Sequence, residues 1–230
     1  MIFWIFVLLF IQNTCGQIDN ILLNTTNNII IRGEINEKTT SHFIYNLNLM
    51  KNKNNTYVYL NTPGGSVEEG MKIVSEIKQH NLSCIAERAY SMGFIIFQAC
   101  KERLILPHGK LMQHQMALGI MDQKNRIKNY LRFIESMEDE IIEQQISRIN
   151  ITKEEFTRNI NDDWWLYANN AISENCADKI VNIECSRSLT KETEIKENGF
   201  TKIVFSKCPL VSHPIKVHHE KNNIFFNPFV

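Results

Sequence analysis

Neither of the common glycine-rich phosphate cradles, GxGxxG and GxxxxGKS, occurs in this chain. Nucleotide binding on a backbone loop at a helix start, and ATP hydrolysis by the chain itself, are therefore not expected. An excess of one charge sign is missing too. The 25 Lys plus Arg offset 25 Asp plus Glu, which leaves no overall field to draw the protein to nucleic acid or an anionic membrane. There is no CxxC pair, and the histidines at His213, His218 and His219 have no obvious cysteine partner, so neither a metal site nor a cofactor is expected. No internal repeat is evident. The apolar run from Met1 to Ile11 reaches only about half of the roughly twenty residues that a membrane-crossing helix needs.

That run turns small and polar up to Gly16, which is the layout of a secretory signal cut after Gly16. No Lys or Arg precedes it, and the scarcity of Arg and Ser argues against an organellar transit peptide. The expected destination is the secretory pathway or the exterior, with an uncleaved anchor as the alternative. Losing Cys15 with the signal leaves Cys84, Cys100, Cys176, Cys185 and Cys208. An oxidising compartment would allow one or two disulfides and a leftover thiol, with the pairing open. Asn-x-Ser/Thr acceptors at Asn24, Asn54, Asn81 and Asn150 suit a secreted chain, but carry little weight in one so rich in Asn.

A chain of 230 residues can bury one core of ordinary size. From Ile29 to Ile183 short β-branched runs alternate with amphipathic stretches, the pattern of βαβ units on a largely parallel sheet. The pattern predicts strands at Ile29–Ile31, Tyr57–Leu60, Cys84–Glu87, Arg103–Leu106, Leu111–Gln113 and Lys179–Ile183. It predicts helices at Thr39–Met50, Val67–His80, Met92–Cys100, within Asp122–Ile149, and at Asn169–Asn175. In the long helix Ile127, Leu131, Ile134, Ile141, Gln145 and Ile149 share one face. That face suits either the chain's own core or another subunit. The expected division is a signal at 1–16, an N-terminal segment at 17–28, an α/β domain at 29–185, and a polar, partly disordered extension at 186–230.

Three segments invite chemistry. YLNTPGGSVEEG leads a strand through a Pro-Gly-Gly turn into a helix opened by the capping pair Ser66 and Glu69. Its glycines let backbone N–H groups face a ligand. ERAYSMGFIIFQAC sets Ser91 where a strand meets an apolar helix, a position that by itself reads first as an N-cap and also suits a nucleophile favoured by the positive helix end. LILPHGKLMQHQM ends a strand on His114. Alone it reads as a packed histidine, but beside a serine nucleophile it can be the general base, in turn requiring an orienting carboxylate.

In this order the segments resemble the Clp protease proteolytic subunit, of the ClpP and crotonase superfamily. The resemblance rests on NTPGGSV, AYSMGF, LPHGKLMQHQ and the closing run DDWWLYANNAISENCADKIV, and spans about Ile29 to Ile183. It implies a layered α/β spiral of βαβ units with a projecting long helix, and serine endopeptidase activity on short or unfolded polypeptides. The residues implied are Ser91 as nucleophile, His114 as base and Asp163, rather than the adjacent Asp162, as the residue that orients it. Gly65 and Met92 would give the oxyanion N–H groups, and Gly64, Met116 and Gly119 would contact substrate. Glu87 replaces a glycine usual in the family, Met116 replaces a proline, and Gly119 alone remains of a glycine pair. The family's habit implies a homo-oligomer. An ATP-driven unfoldase partner is left open for a chain that enters the secretory pathway. The alternatives are an inactive scaffold on the same fold and a crotonase-like acyl-CoA enzyme.

Overall fold

The computed structural model describes residues 18–197 and 201–219, so the expected signal at 1–16 and the end of the extension lie outside the described residues. A seven-stranded sheet carries the chain. Its strands are β1 (Asp19–Leu23), β2 (Asn28–Arg32), β3 (Tyr57–Thr62), β4 (Ser83–Tyr90), β5 (Arg103–Gln113), β6 (Trp164–Tyr167) and β7 (Lys179–Cys185). They lie in the order β1-β7-β5-β4-β3-β2, with every neighbour parallel. β6 adds antiparallel to the far end of β5. Around the sheet stand α1 (Glu37–Leu49), α2 (Val67–His80), α3 (Met92–Gln98), α4 (Lys124–Ile149), α5 (Lys153–Ile160) and α6 (Ala168–Ser173). Among the described residues no helix is long and apolar enough to cross a membrane.

Alternate strand residues face opposite sides, and both sides are covered, which is why these strands read as near-continuous apolar runs. Val58, Leu60, Cys84 and Ala86 join Phe43, Ile73 and Phe97 in the main core. Tyr59, Ile85, Leu104 and Leu106 face the other way into a second cluster with Leu189 and Cys208. The second cluster is covered by the segment after Cys185, which forms β8 (Glu192–Glu197), β9 (Thr201–Ser206) and β10 (Lys216–His219), a separate antiparallel sheet in the order β10-β9-β8. Disulfides link Cys185 to Cys208 and Cys84 to Cys100, and Cys176 is a buried free thiol. Arg32 donates to the carbonyl oxygens of Pro209 and Val211 at 2.5 and 3.4 Å.

Local signals explain several helix ends. Asn36 and Ser66 accept from the N–H groups of Thr39 and Glu69, capping α1 and α2. Asn81 and Asn150 end α2 and α4 in the left-handed conformation, which Asn tolerates better than most residues. The two strands expected at Arg103–Leu106 and Leu111–Gln113 are one strand, β5. Pro107 to Gly109 stay extended while the ladder to β4 jumps from Ile105 to Lys110. Strands β1 and β6 and helix α5 were not among the expected elements.

Helix α4 has 26 residues, so it extends about 39 Å. Ile134, Ile141, Gln145 and Ile149 are buried against the head. The N-terminal part projects, leaving Tyr130, Leu131 and Phe133 exposed at 47%, 37% and 60%.

Candidate active site

Ser91 follows β4 and precedes α3. Its backbone is in the left-handed half of conformational space, with φ 53° and ψ −119°, which costs a non-glycine residue on the order of 1–3 kcal/mol. The neighbours enforce it: the Ser91 N–H donates to the Met112 carbonyl at 2.8 Å, while its own carbonyl accepts from Phe94. The side chain does not cap α3. Instead its Oγ lies 2.8 Å from His114 Nε2. His114 reaches this point because β5, paired with β4 as far as Met112, carries it just past the strand end beside Ser91.

Gly64 and Gly65 form the floor below the serine. A Cβ at Gly64, whose φ is +97°, would lie 2.7 Å from both the Ser91 Cβ and the Tyr90 carbonyl oxygen. At Gly65, φ +147°, it would lie 2.3 Å from the Ile35 carbonyl oxygen. Only glycine lets three pieces of chain meet so closely. The N–H groups of Gly65 and Met92 have no acceptor among the described residues, and both residues line the cleft that contains Ser91 and His114.

Asp163 and Asp162 are both exposed in the turn between α5 and β6. Asp163 has φ 59°, whereas Asp162 is not among the positive-φ residues. Trp164 beside it packs its ring on Phe94 and Phe156 and donates its Nε1–H to Glu174 at 2.9 Å. Trp165 stacks edge-on against Tyr90, one residue before the serine. Asp163 is thereby brought to the His114 end of β5, yet it makes no hydrogen bond to the His114 ring. Met116 lines the cleft, while Gly119 stands in open space and does not.

Glu87 is the extra residue where the β3–β4 register shifts. Its carboxylate accepts from the Tyr59 hydroxyl at 2.7 Å and from Asn61 Nδ2 at 2.6 Å. Burial, and then the hydrogen bond to Glu87, push the Tyr59 pKa far above the usual phenol range. The carboxylate thus braces the strand that leads to Ser91.

The cleft wall also contains residues that the sequence reading did not assign to the site, namely Gln113, Glu138 and Gln145 on β5 and α4, and Phe156 and Ile160 on α5. For α5 a signal was present: Thr152 accepts from the Glu155 N–H, a capping pair visible as Thr-x-x-Glu. A glutamine inside the apolar stripe of α4 was the only mark of Gln145.

The family model of the Clp protease matches residues 12–184. The chain belongs to the Clp protease family. It is 27% identical over 161 residues to the ATP-dependent Clp protease proteolytic subunit of Borrelia garinii subsp. bavariensis, covering 66% of this chain and 83% of that one. With proteolytic subunit 1 of Borreliella burgdorferi it is 26% identical over the same coverage. With proteolytic subunit 2 of Pseudomonas aeruginosa it is 25% identical, over 66% of this chain and 80% of the relative. The mostly parallel sheet, the six helices and the projecting α4 are the Clp protease fold.

Proposed function

We propose that this Clp family member is a serine endopeptidase acting on short or unfolded polypeptides. The observation that carries this reading is the 2.8 Å approach of Ser91 Oγ to His114 Nε2 at a strained turn. With Nε2 unprotonated, His114 takes the hydroxyl proton as Oγ attacks a peptide carbonyl. The charge that develops on the carbonyl oxygen is met by the N–H groups of Gly65 and Met92, already unpaired and directed by the chain. His114 then protonates the leaving amine, and water frees the acyl group. Asp163 would hold the imidazole with its other proton inward, a role that needs its carboxylate to close on His114 when substrate binds.

The disulfides, together with the apolar start of the chain, support work in an oxidising compartment of the secretory pathway. The exposed aromatic end of α4 supports a homo-oligomer. A crotonase-like acyl-CoA reading leaves the Ser91–His114 contact without a task. The absent Asp163–His114 bond favours a second reading, an inactive scaffold that keeps the fold. A fluorophosphonate probe separates the two: labelling of the wild type but not of Ser91→Ala supports the peptidase, and an unlabelled wild type supports the scaffold.

A further inference from the structure

The cleft beside Ser91, about 220 Å³, is walled largely by apolar side chains such as Ile141, Phe156 and Ile160. Besides Ser91 and His114, four polar side chains interrupt that wall: Gln113, Gln145, Glu138 and the exposed Gln115, which donates to Asn161 at 3.4 Å. Gln113 and Gln145 are only 5% and 1% exposed. The direction of their hydrogen-bond chain is fixed by its far end. The Ile141 carbonyl can only accept, so Gln145 must turn Nε2 to it, at 3.1 Å. That places Gln145 Oε1 toward Gln113, which donates its Nε2–H at 2.9 Å. Gln113 Oε1 is left over, a buried acceptor with no partner. Native proteins seldom leave such an atom unpaired, because a buried acceptor without a donor has lost water and gained nothing. Glu138, half-buried on the same wall, is in no salt bridge among the described residues, and neither Lys nor Arg lines the cleft.

The cleft therefore holds a buried acceptor without a donor and a negative charge, with no Lys or Arg on its wall to balance it. We propose that it is the specificity pocket for the residue whose carbonyl Ser91 attacks, and that it selects a lysine or arginine side chain. The inference rests on the serine-peptidase reading and names its substrate class. The methylene stem lies along the apolar wall, an N–H of the head group donates to Gln113 Oε1, and the positive charge faces Glu138. Leucine would fill the apolar part equally well, but it would leave Gln113 Oε1, already shielded from water, still without a donor, and Glu138 without a cation. Pockets built to receive a hydrogen bond discriminate strongly against ligands that cannot make one.

Fluorophosphonate labelling of Ser91 tests the peptidase reading by itself. Peptidyl diphenyl phosphonates that differ only in the reacting residue, Lys, Gln or Leu, then compete for the labelled serine, and their inactivation rates are compared. The expected order is Lys, Gln, Leu, with Lys at least about tenfold faster than Leu. Gln113→Leu should lower that ratio severalfold, and Glu138→Gln should erase the advantage of Lys over Gln. Glu138 is half-buried, so its variant serves if Gln113→Leu does not fold. A leucine compound that reacts as fast as the lysine one, or a ratio unchanged by the substitutions, overturns the pocket assignment while leaving the peptidase intact. A wild type that never labels overturns both.

Discussion

Gln113 and Trp164 form the last pair of the antiparallel ladder between β5 and β6, so that His114 directly follows one strand and Asp163 directly precedes the other. Asp162 is another step away. Asp163→Asn should therefore lower kcat/KM on a peptide substrate by roughly two to four orders of magnitude while leaving the fold intact, because the imidazole tautomer is no longer fixed. Asp162→Asn should change little. Steady-state kinetics on both variants checks this, and a loss confined to Asp162→Asn would transfer the role by one residue.

Gly64 supports the serine turn from below. In Gly64→Ala the new Cβ would meet the Ser91 Cβ and the Tyr90 carbonyl at 2.7 Å, at a φ of +97° that alanine tolerates poorly. Ser91 should be displaced relative to His114 and to the Met92 N–H. Misplacement of about 1 Å can lower a rate on the order of a hundredfold, so fluorophosphonate labelling should slow by a similar factor. An unchanged labelling rate, with circular dichroism showing a folded chain, would mean that the turn does not set the nucleophile.

Oligomer contacts should be made by the projecting half of α4. Ile134 and Ile141 are buried against the chain's own head, so charges there would unfold it, whereas Tyr130, Leu131 and Phe133 are exposed. Tyr130 and Phe133 lie 6.2 Å apart between ring centroids, one apolar patch. Light scattering of the protein from residue 17 onward should show an assembly, and Tyr130→Asp with Phe133→Asp should dissociate it. A wild type that is monomeric at micromolar concentration, yet active on peptides, would leave that patch without a partner.

The stability of the head should carry an acid-sensitive component at Asp178. Its carboxylate accepts from the backbone N–H and side chain of Arg103, which is 1% exposed, and pairs with Arg148 at 3.0 Å. Burial acts to raise the Asp178 pKa, but the hydrogen bonds and charge of Arg103, helped by Arg148, outweigh it and hold the pKa below the usual carboxylate value. A carboxylate lowered on folding adds stability that is complete above its unfolded pKa of about 4. That stability is lost as pH falls through the lower, folded value. Asp178→Asn should cost about 3 kcal/mol near neutral pH by leaving a buried guanidinium underpaired. The gap to the wild type should shrink below about pH 4. Urea unfolding of both proteins along a pH series measures it, and a gap independent of pH would assign the loss to packing.

The bounds of α2 and the start of β3 were legible because they depend on neighbours in the chain. Ser66 caps the third residue on, and Val67 to His80 keep one apolar face. The segments of Ser91 and His114 stand out by order and residue type, since a strand end, a turn and a histidine each have a local signature, and folding brings their side chains to 2.8 Å, whereas Asp163, expected beside them, makes no hydrogen bond to His114. Helix α5 had such a signature in Thr152 and Glu155, but its few apolar residues, Phe156 and Ile160, acquire their meaning only against Trp164 and the cleft. The segment after Cys185 reads as polar and partly disordered, because the apolar surface that its Leu189, Cys208 and Val211 join belongs to Tyr59, Ile85 and Leu104, far away in the chain. Folding alone decided the rest. Gln113 and Gln145 are 32 positions apart and carry no mark of meeting, and no periodicity tells that one oxygen of that pair is left without a donor. Residue type and spacing determine which groups exist and which local turns they prefer. Which acceptor stays unpaired beside the nucleophile is set where Gln145 of α4 meets Gln113 at the end of β5, a contact that forms only when distant segments pack.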